Sequence, residues 1–194
     1  MRRSKKKAAR HAKAKAVANT NVVASVSVPE SGLLARQVGE ALKLCGMTLV
    51  TAESCTGGGI AQEVTRISGS SAWFERGFVT YSNVAKEEVL GVSPETLEAH
   101  GAVSEKTVRE MAEGALQYSR AQVALAVSGV AGPTGGSQEK PVGTVWFAWA
   151  QGHRVLAACH HLSGDREGIR AAAVRVALQG VLDLLDASKD QKME

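Results

Sequence analysis

No stretch of this 194-residue chain is apolar over the roughly 18–20 residues that a membrane span requires. The basic N-terminus leads into no apolar signal core, only the short and polar-interrupted run from Val22 to Val28, so secretion is not expected. The three cysteines, Cys45, Cys55 and Cys159, are odd in number and lack metal-ligand spacing. Histidine is equally unpromising as a metal ligand. His11, His100, His153, His160 and His161 show no metal spacing, and the adjacent pair points to opposite faces of one strand. Nucleotide motifs are missing too. No Gly-Lys-Ser/Thr closes a phosphate loop, and Gln62 stands where the last glycine of a dinucleotide fingerprint belongs. These absences predict a reduced, cytoplasmic protein with no metal, no cofactor and no membrane partner.

Acid is absent from the first 29 residues, where Arg2, Arg3, Lys5, Lys6, Lys7, Arg10, Lys13 and Lys15 supply eight positive charges. Taking these eight from the 23 basic residues leaves 15 against 19 acids, so the rest of the chain carries −4 although the total is +4. The basic run has no interleaved aromatics for base stacking. Residues 1–29 therefore read as a solvated, disordered tail, with contact to nucleic acid as the alternative. Residues 30–188 have the size of one domain, and 189–194 form a C-terminal tail.

What is present points to a site. An apolar run from Val123 to Val127 stops at Ser128 and enters a loop carrying Gly129, Gly132, Gly135 and Gly136, stiffened by Pro133 and Pro141. Such a loop lets main chain approach a ligand and offers it N–H groups. Two further apolar runs end in hydroxyl-rich segments, Thr51-Ala-Glu-Ser-Cys-Thr-Gly-Gly and Thr80-Tyr-Ser-Asn-Val-Ala-Lys.

Spacing supplies the framework. A helix with Leu34, Val38, Leu42 and Cys45 on one face closes at Gly46, and a strand from Met47 to Ala52 follows. Ile60, Val64 and Ile67 predict a helix ending by Gly69, so Ser54 to Gly59 lie near a helix N-terminus where free N–H groups favour negative charge. A second strand spans Gly77 to Ser82, with Asn83 able to cap a short helix carrying Lys86. Pro94 starts a helical turn, Ser104 caps a longer helix, and Gln122 to Val127 is the third strand. Gly143 to Ala150 and His153 to Leu162 read as an antiparallel hairpin, and Asp165 opens the last helix. Early helix–strand alternation with a late hairpin predicts an α/β fold, a single-domain three-layer α/β/α sandwich around a mixed β-sheet.

With no histidine in these loops, the candidate chemistry is a hydroxyl nucleophile with another base. Ser54 sits on the strand-to-helix turn beside the N–H groups of Thr56, Gly57 and Gly58, which would serve as an oxyanion hole. Lys86 is the lysine placed within a candidate loop, and burial would lower its pKa enough to take a serine proton. The alternative is an exposed helix charge beside Glu87 and Glu88. Cys55 is the rival nucleophile, but as Ser54's neighbour it should face the core.

Taken together, Ala52-Glu-Ser-Cys-Thr-Gly-Gly, Val79-Thr-Tyr-Ser-Asn-Val-Ala-Lys, Gly101-Ala-Val-Ser, Ser128-Gly-Val-Ala-Gly-Pro-Thr-Gly-Gly, Lys140-Pro-Val-Gly-Thr-Val and Ser163-Gly-Asp-Arg-Glu-Gly-Ile-Arg resemble the CinA C-terminal family, from about Leu33 to Leu185. Stand-alone members are nicotinamide-nucleotide amidases, and the chain carries nothing like the extra N-terminal domain of the longer ones. The resemblance implies a hydrolase that converts nicotinamide mononucleotide to nicotinate mononucleotide and ammonia, in pyridine nucleotide recycling. It places the catalytic serine at Ser54 and the lysine at Lys86. Ser128 stands where many members carry threonine, a change that keeps the hydroxyl. Tyr81, Asn83, Arg166 and Arg170 fall on positions suited to substrate contacts, with an arginine and the Gly129–Gly136 loop expected to hold the phosphate. A homo-oligomer, a dimer, is the expected assembly. A non-catalytic nucleotide-binding domain, or a DNA-associated factor working through the basic tail, are the alternatives.

Overall fold

Alternation along the strands divides the core in two. The computed structural model describes residues 30–190. The basic tail assigned to residues 1–29 lies outside the described residues, as do 191–194; residues 189 and 190, assigned to a C-terminal tail, instead continue the last helix. The chain runs α1 (Glu30–Cys45), β1 (Leu49–Glu53), α2 (Gly59–Thr65), a 3-10 turn (Ser70–Ala72), β2 (Phe74–Val79), α3 (Asn83–Leu90), α4 (Pro94–His100), α5 (Glu105–Gln117), β3 (Val123–Gly129), β4 (Thr144–Gln151), β5 (Arg154–His161) and α6 (Arg166–Asp190). The strands form one sheet in the order β2-β1-β3-β4-β5. β1 is parallel to β2 and β3, whereas β4 and β5 are antiparallel additions.

On β3, Val123, Leu125 and Val127 enter one core with residues of α1, α2 and α6. Ala124 and Ala126 enter the other, with Leu90, Val108, Met111 and Ala112 from α3 and α5. The same period of two sends Leu49 of β1 to the first core and Val50 and Ala52 to the second. The result is the three-layer α/β/α sandwich around a mixed sheet that the sequence predicts.

On the second face the sheet offers mostly alanine, so α5 settles close to it. Its Gly114 lets α3 settle close in turn, since a Cβ there would lie 1.8 Å from the Leu90 carbonyl oxygen. That contact fixes the end of the helix carrying Lys86.

Three local expectations change. Ser82, not Asn83, caps α3, its hydroxyl accepting from Ala85 N–H at 3.1 Å. Asn83 is already helical and exposed. β2 begins at Phe74 and ends at Val79, leaving Thr80 to Ser82 as a loop. β3 continues to Gly129, because the antiparallel ladder with β4 (Ser128 opposite Trp146, Gly129 opposite Val145) outlasts the parallel one with β1. Ser128 is therefore a strand residue on the face of Ala124 and Ala126.

Candidate active site

The chain leaves β1 toward α2 on one face of the sheet and leaves β2 toward α3 on the other. Adjacent strands that exit to opposite faces open a crevice beyond their carboxyl ends. Ser54 follows β1 at this crevice and Lys86 comes from α3, one turn into the helix after β2.

Lys86 Nζ lies 3.1 Å from Ser54 Oγ and donates to the Thr80 carbonyl oxygen at 2.8 Å. Its side chain is only 1% exposed. Among the described residues no carboxylate forms an ion pair with it. Burial accordingly lowers its pKa from the ordinary 10.5, with Cys55 opposing the shift. The exposed-charge alternative for Lys86 is therefore removed, although Glu88, two residues on, is exposed. Cys55 takes its side chain into the core of α1, α2 and α6, where burial pushes its thiol up to about 11. It is a neutral thiol at physiological pH.

Around this pair lies a cleft of about 280 Å³, bounded by Ser54, Cys55, Lys86, Tyr81, Ser128, the stretch from Gly129 to Gly132, Gly135 and Arg166. Arg166 Nη1 donates to the Gly132 carbonyl at 2.7 Å and its Nη2 to the Tyr81 hydroxyl at 2.8 Å, bridging two walls of the cleft. Gly132 has φ +76 and is pressed against Val142, so the loop bends there only with glycine. The geometry thus brings together Ser54, Lys86, Tyr81, Ser128, Gly129, Gly132, Gly135 and Arg166.

Six residues expected at the site do not line this cleft. Asn83 lies along α3, and Gly136 packs on the Pro141–Val142 backbone. Arg170 turns away: its Nη2 donates to the Thr56 carbonyl at 2.8 Å, and it borders a separate cavity of about 260 Å³ with Ser31, Gln62, Glu63 and Glu167. Thr56, Gly57 and Gly58 also stand behind Ser54 and not in the cleft. Gly57 N–H is committed to the Ser54 carbonyl oxygen at 3.0 Å, closing the turn. The first turn of α2 is occupied by the protein's own acid: Glu53 Oε2 accepts from Ile60 N–H at 3.0 Å and Glu53 Oε1 from Ala61 N–H at 2.8 Å.

Several residues of this region were not expected at the site. Ala102 and Val103 form part of the cleft wall after the positive-φ Gly101. Lys140 clips the glycine loop to the end of α4 through a 2.7 Å bond to the His100 carbonyl. All three belong to short motifs noted in the sequence, which was the available signal. The buried position of Glu53, third in the alternation Leu49, Thr51, Glu53, was a signal that went unused.

Known proteins share this arrangement of chain. Nicotinamide-nucleotide amidohydrolase PncC of Escherichia coli strain K12 is 58% identical over 147 residues, covering 75% of this chain and 89% of that protein. The protein of the same name from Pseudomonas putida is 55% identical over 152 residues, 78% of this chain and 94% of that one. Among solved structures, the competence/damage inducible protein CihA from Agrobacterium tumefaciens matches with a TM-score of 0.77 at 49% identity, over 80% of this chain and 95% of that chain. A CinA superfamily protein from Escherichia coli matches with a TM-score of 0.78 at 37% identity, over 88% of this chain and 99% of that chain. The model of the CinA C-terminal domain matches residues 32–185, all but the edges of the described fold. This chain belongs to the CinA C-terminal domain family.

Proposed function

We propose that this chain hydrolyses the carboxamide of nicotinamide mononucleotide, giving nicotinate mononucleotide and ammonia, with Ser54 as nucleophile and Lys86 as its base. The observation that carries the mechanism is the 3.1 Å approach of a buried lysine amine to the Ser54 hydroxyl. The substrate follows from the amidohydrolase relatives that cover nearly their whole length with this chain.

Neutral Lys86 takes the Ser54 proton while Oγ attacks the amide carbon. The negative oxygen so formed is assigned to the Cys55 N–H, since Cys55 is the residue of the turn after Ser54 that borders the cleft. Lys86 then passes its proton to the departing nitrogen, which leaves as ammonia. A water molecule, deprotonated by Lys86, attacks the acyl-serine; Lys86 returns that proton to the departing Ser54 Oγ, and the freed acid ionises to the carboxylate. Thr80's carbonyl keeps Nζ aimed at Ser54 throughout. Arg166 faces the cleft with a planar fork suited to phosphate oxygens, so the ribose phosphate is assigned to Arg166 and the glycine loop. No helix of the described residues is long and apolar enough to cross a membrane. With its three cysteines unpaired, the chain is assigned to the reducing cytoplasm.

Purified protein incubated with nicotinamide mononucleotide tests this reading. Ammonia and nicotinate mononucleotide should appear in equal amounts. Tight binding of the nucleotide without ammonia release would make the chain a nucleotide-binding module instead.

A further inference from the structure

Glu53 is the last residue of β1 and immediately precedes Ser54, yet it faces the opposite way. It is fully buried, and among the described residues no cation pairs with it. Its carboxylate receives only donors. Oε2 accepts from the Thr56 hydroxyl at 2.7 Å and from Ile60 N–H at 3.0 Å. Oε1 accepts from Ala61 N–H at 2.8 Å and, at the long limit of 3.5 Å, from the Thr51 hydroxyl. Thr56 is gripped a second time, because its carbonyl accepts from Arg170 Nη2 at 2.8 Å. The turn from Ser54 to Gly59 is thus tied from below by Glu53 and from α6 by Arg170, while Ser54 N–H is fixed on the Val127 carbonyl at 3.0 Å.

We propose that Glu53 is a positioning residue for Ser54: its acceptor-only carboxylate locks the turn behind the nucleophile, which keeps Oγ on Lys86 Nζ. The proposal rests on the Ser54–Lys86 reading given above. An ionised carboxylate suits the position because neither oxygen has to donate. The hydroxyls of Thr51 and Thr56 can turn to accept from an amide, but the N–H groups of Ile60 and Ala61 cannot. A glutamine therefore sets its NH₂ against one of these two N–H groups whichever way it is flipped. The first turn of α2 must then shift, and with it the turn that holds Ser54. Displacement of a reacting atom by about 1 Å costs turnover about a hundredfold. Substrate binding, which depends on the glycine loop and Arg166 across the cleft, is untouched.

The test compares Glu53→Gln, Val64→Ala and Ser54→Ala for nicotinamide mononucleotide hydrolysis and thermal midpoint. Val64 is a fully buried core residue of the same helix, so its truncation destabilises α2 without touching the carboxylate. The expected result is a kcat loss of about fivefold or more in Glu53→Gln with KM within about twofold, exceeding any loss in Val64→Ala at a comparable fall in Tm. A smaller kcat loss, or one that merely tracks Tm in both variants, would overturn the proposal. Should Glu53→Gln not fold, Thr56→Val severs the same tie and should lower kcat alone, and Thr56→Ser should recover most of that loss. An unaffected kcat in Thr56→Val overturns it equally. Turnover surviving in Ser54→Ala would instead remove the nucleophile assignment on which the proposal rests.

Discussion

Lys86 Nζ is 3.1 Å from Ser54 Oγ and 2.8 Å from the Thr80 carbonyl oxygen, with burial favouring its uncharged form. A lysine so placed is destabilised as an ammonium but competent as a base. Lys86→Arg should therefore be as inactive as Lys86→Ala, since arginine keeps the charge and cannot give up its proton near neutral pH. Parallel assays of ammonia release check this. Substantial activity in the arginine variant would make Lys86 an electrostatic contact and not a proton carrier.

The same burial makes stability depend on pH. The folded pKa of Lys86 lies below 10.5, whereas unfolding restores it to that value. Between these two values the unfolded chain binds one more proton, so stability rises with pH across the window. Relative to Lys86→Met, which has nothing to titrate, the parent protein should gain Tm as pH rises from the depressed pKa toward 10.5. The activity of the parent should switch on at that depressed pKa and not near 10.5. A pH-independent Tm difference would contradict the assignment of the shift to burial.

Gly114→Ala reaches the site from the far side of α5. The new methyl would lie 1.8 Å from the Leu90 carbonyl oxygen at the end of α3, backbone that cannot give way without moving the helix. Overpacking of this kind costs about 1–3 kcal/mol. Because α3 carries Lys86, a loss of kcat should accompany the fall in Tm. A destabilised variant with unchanged kcat would show that α3 absorbs the clash without shifting Nζ.

The two arginines at the start of α6 should separate kinetically. Arg166→Ala should raise KM for nicotinamide mononucleotide more than for the dephosphorylated nucleoside. Loss of a charge-assisted contact of roughly 1.5–3 kcal/mol corresponds to about a ten- to hundredfold effect. Arg170→Ala should not discriminate between the two substrates, since its guanidinium is held on the Thr56 carbonyl behind the nucleophile. Equal effects in Arg166→Ala would move the phosphate seat to the glycine loop alone.

How much of this was legible in the sequence differs from residue to residue. Ser54 and Lys86 were readable because each ends an apolar strand signal in a run of hydroxyls, and strand ends on one side of a sheet converge. The layering followed from helix and strand periods that barely overlap. Arg166 and Arg170 share a helix face, and the pattern predicted one role for both. A rise of about 6 Å along the axis carries the second past the catalytic turn to its other side, a distance that spacing alone does not translate into surroundings. The end of β3 was missed because hairpin pairing from β4, invisible to local propensity, extends it through Ser128. Glu53 went unread because the positive end of α2 invited an external anion, whereas the chain supplies its own.

The most direct measurement is ammonia release by Ser54→Ala, paired with nucleotide binding. The account predicts turnover reduced at least about a thousandfold with nicotinamide mononucleotide affinity within about threefold of the parent, since only the attacking oxygen is removed. Activity within about tenfold of the parent would contradict it and hand the chemistry to another nucleophile.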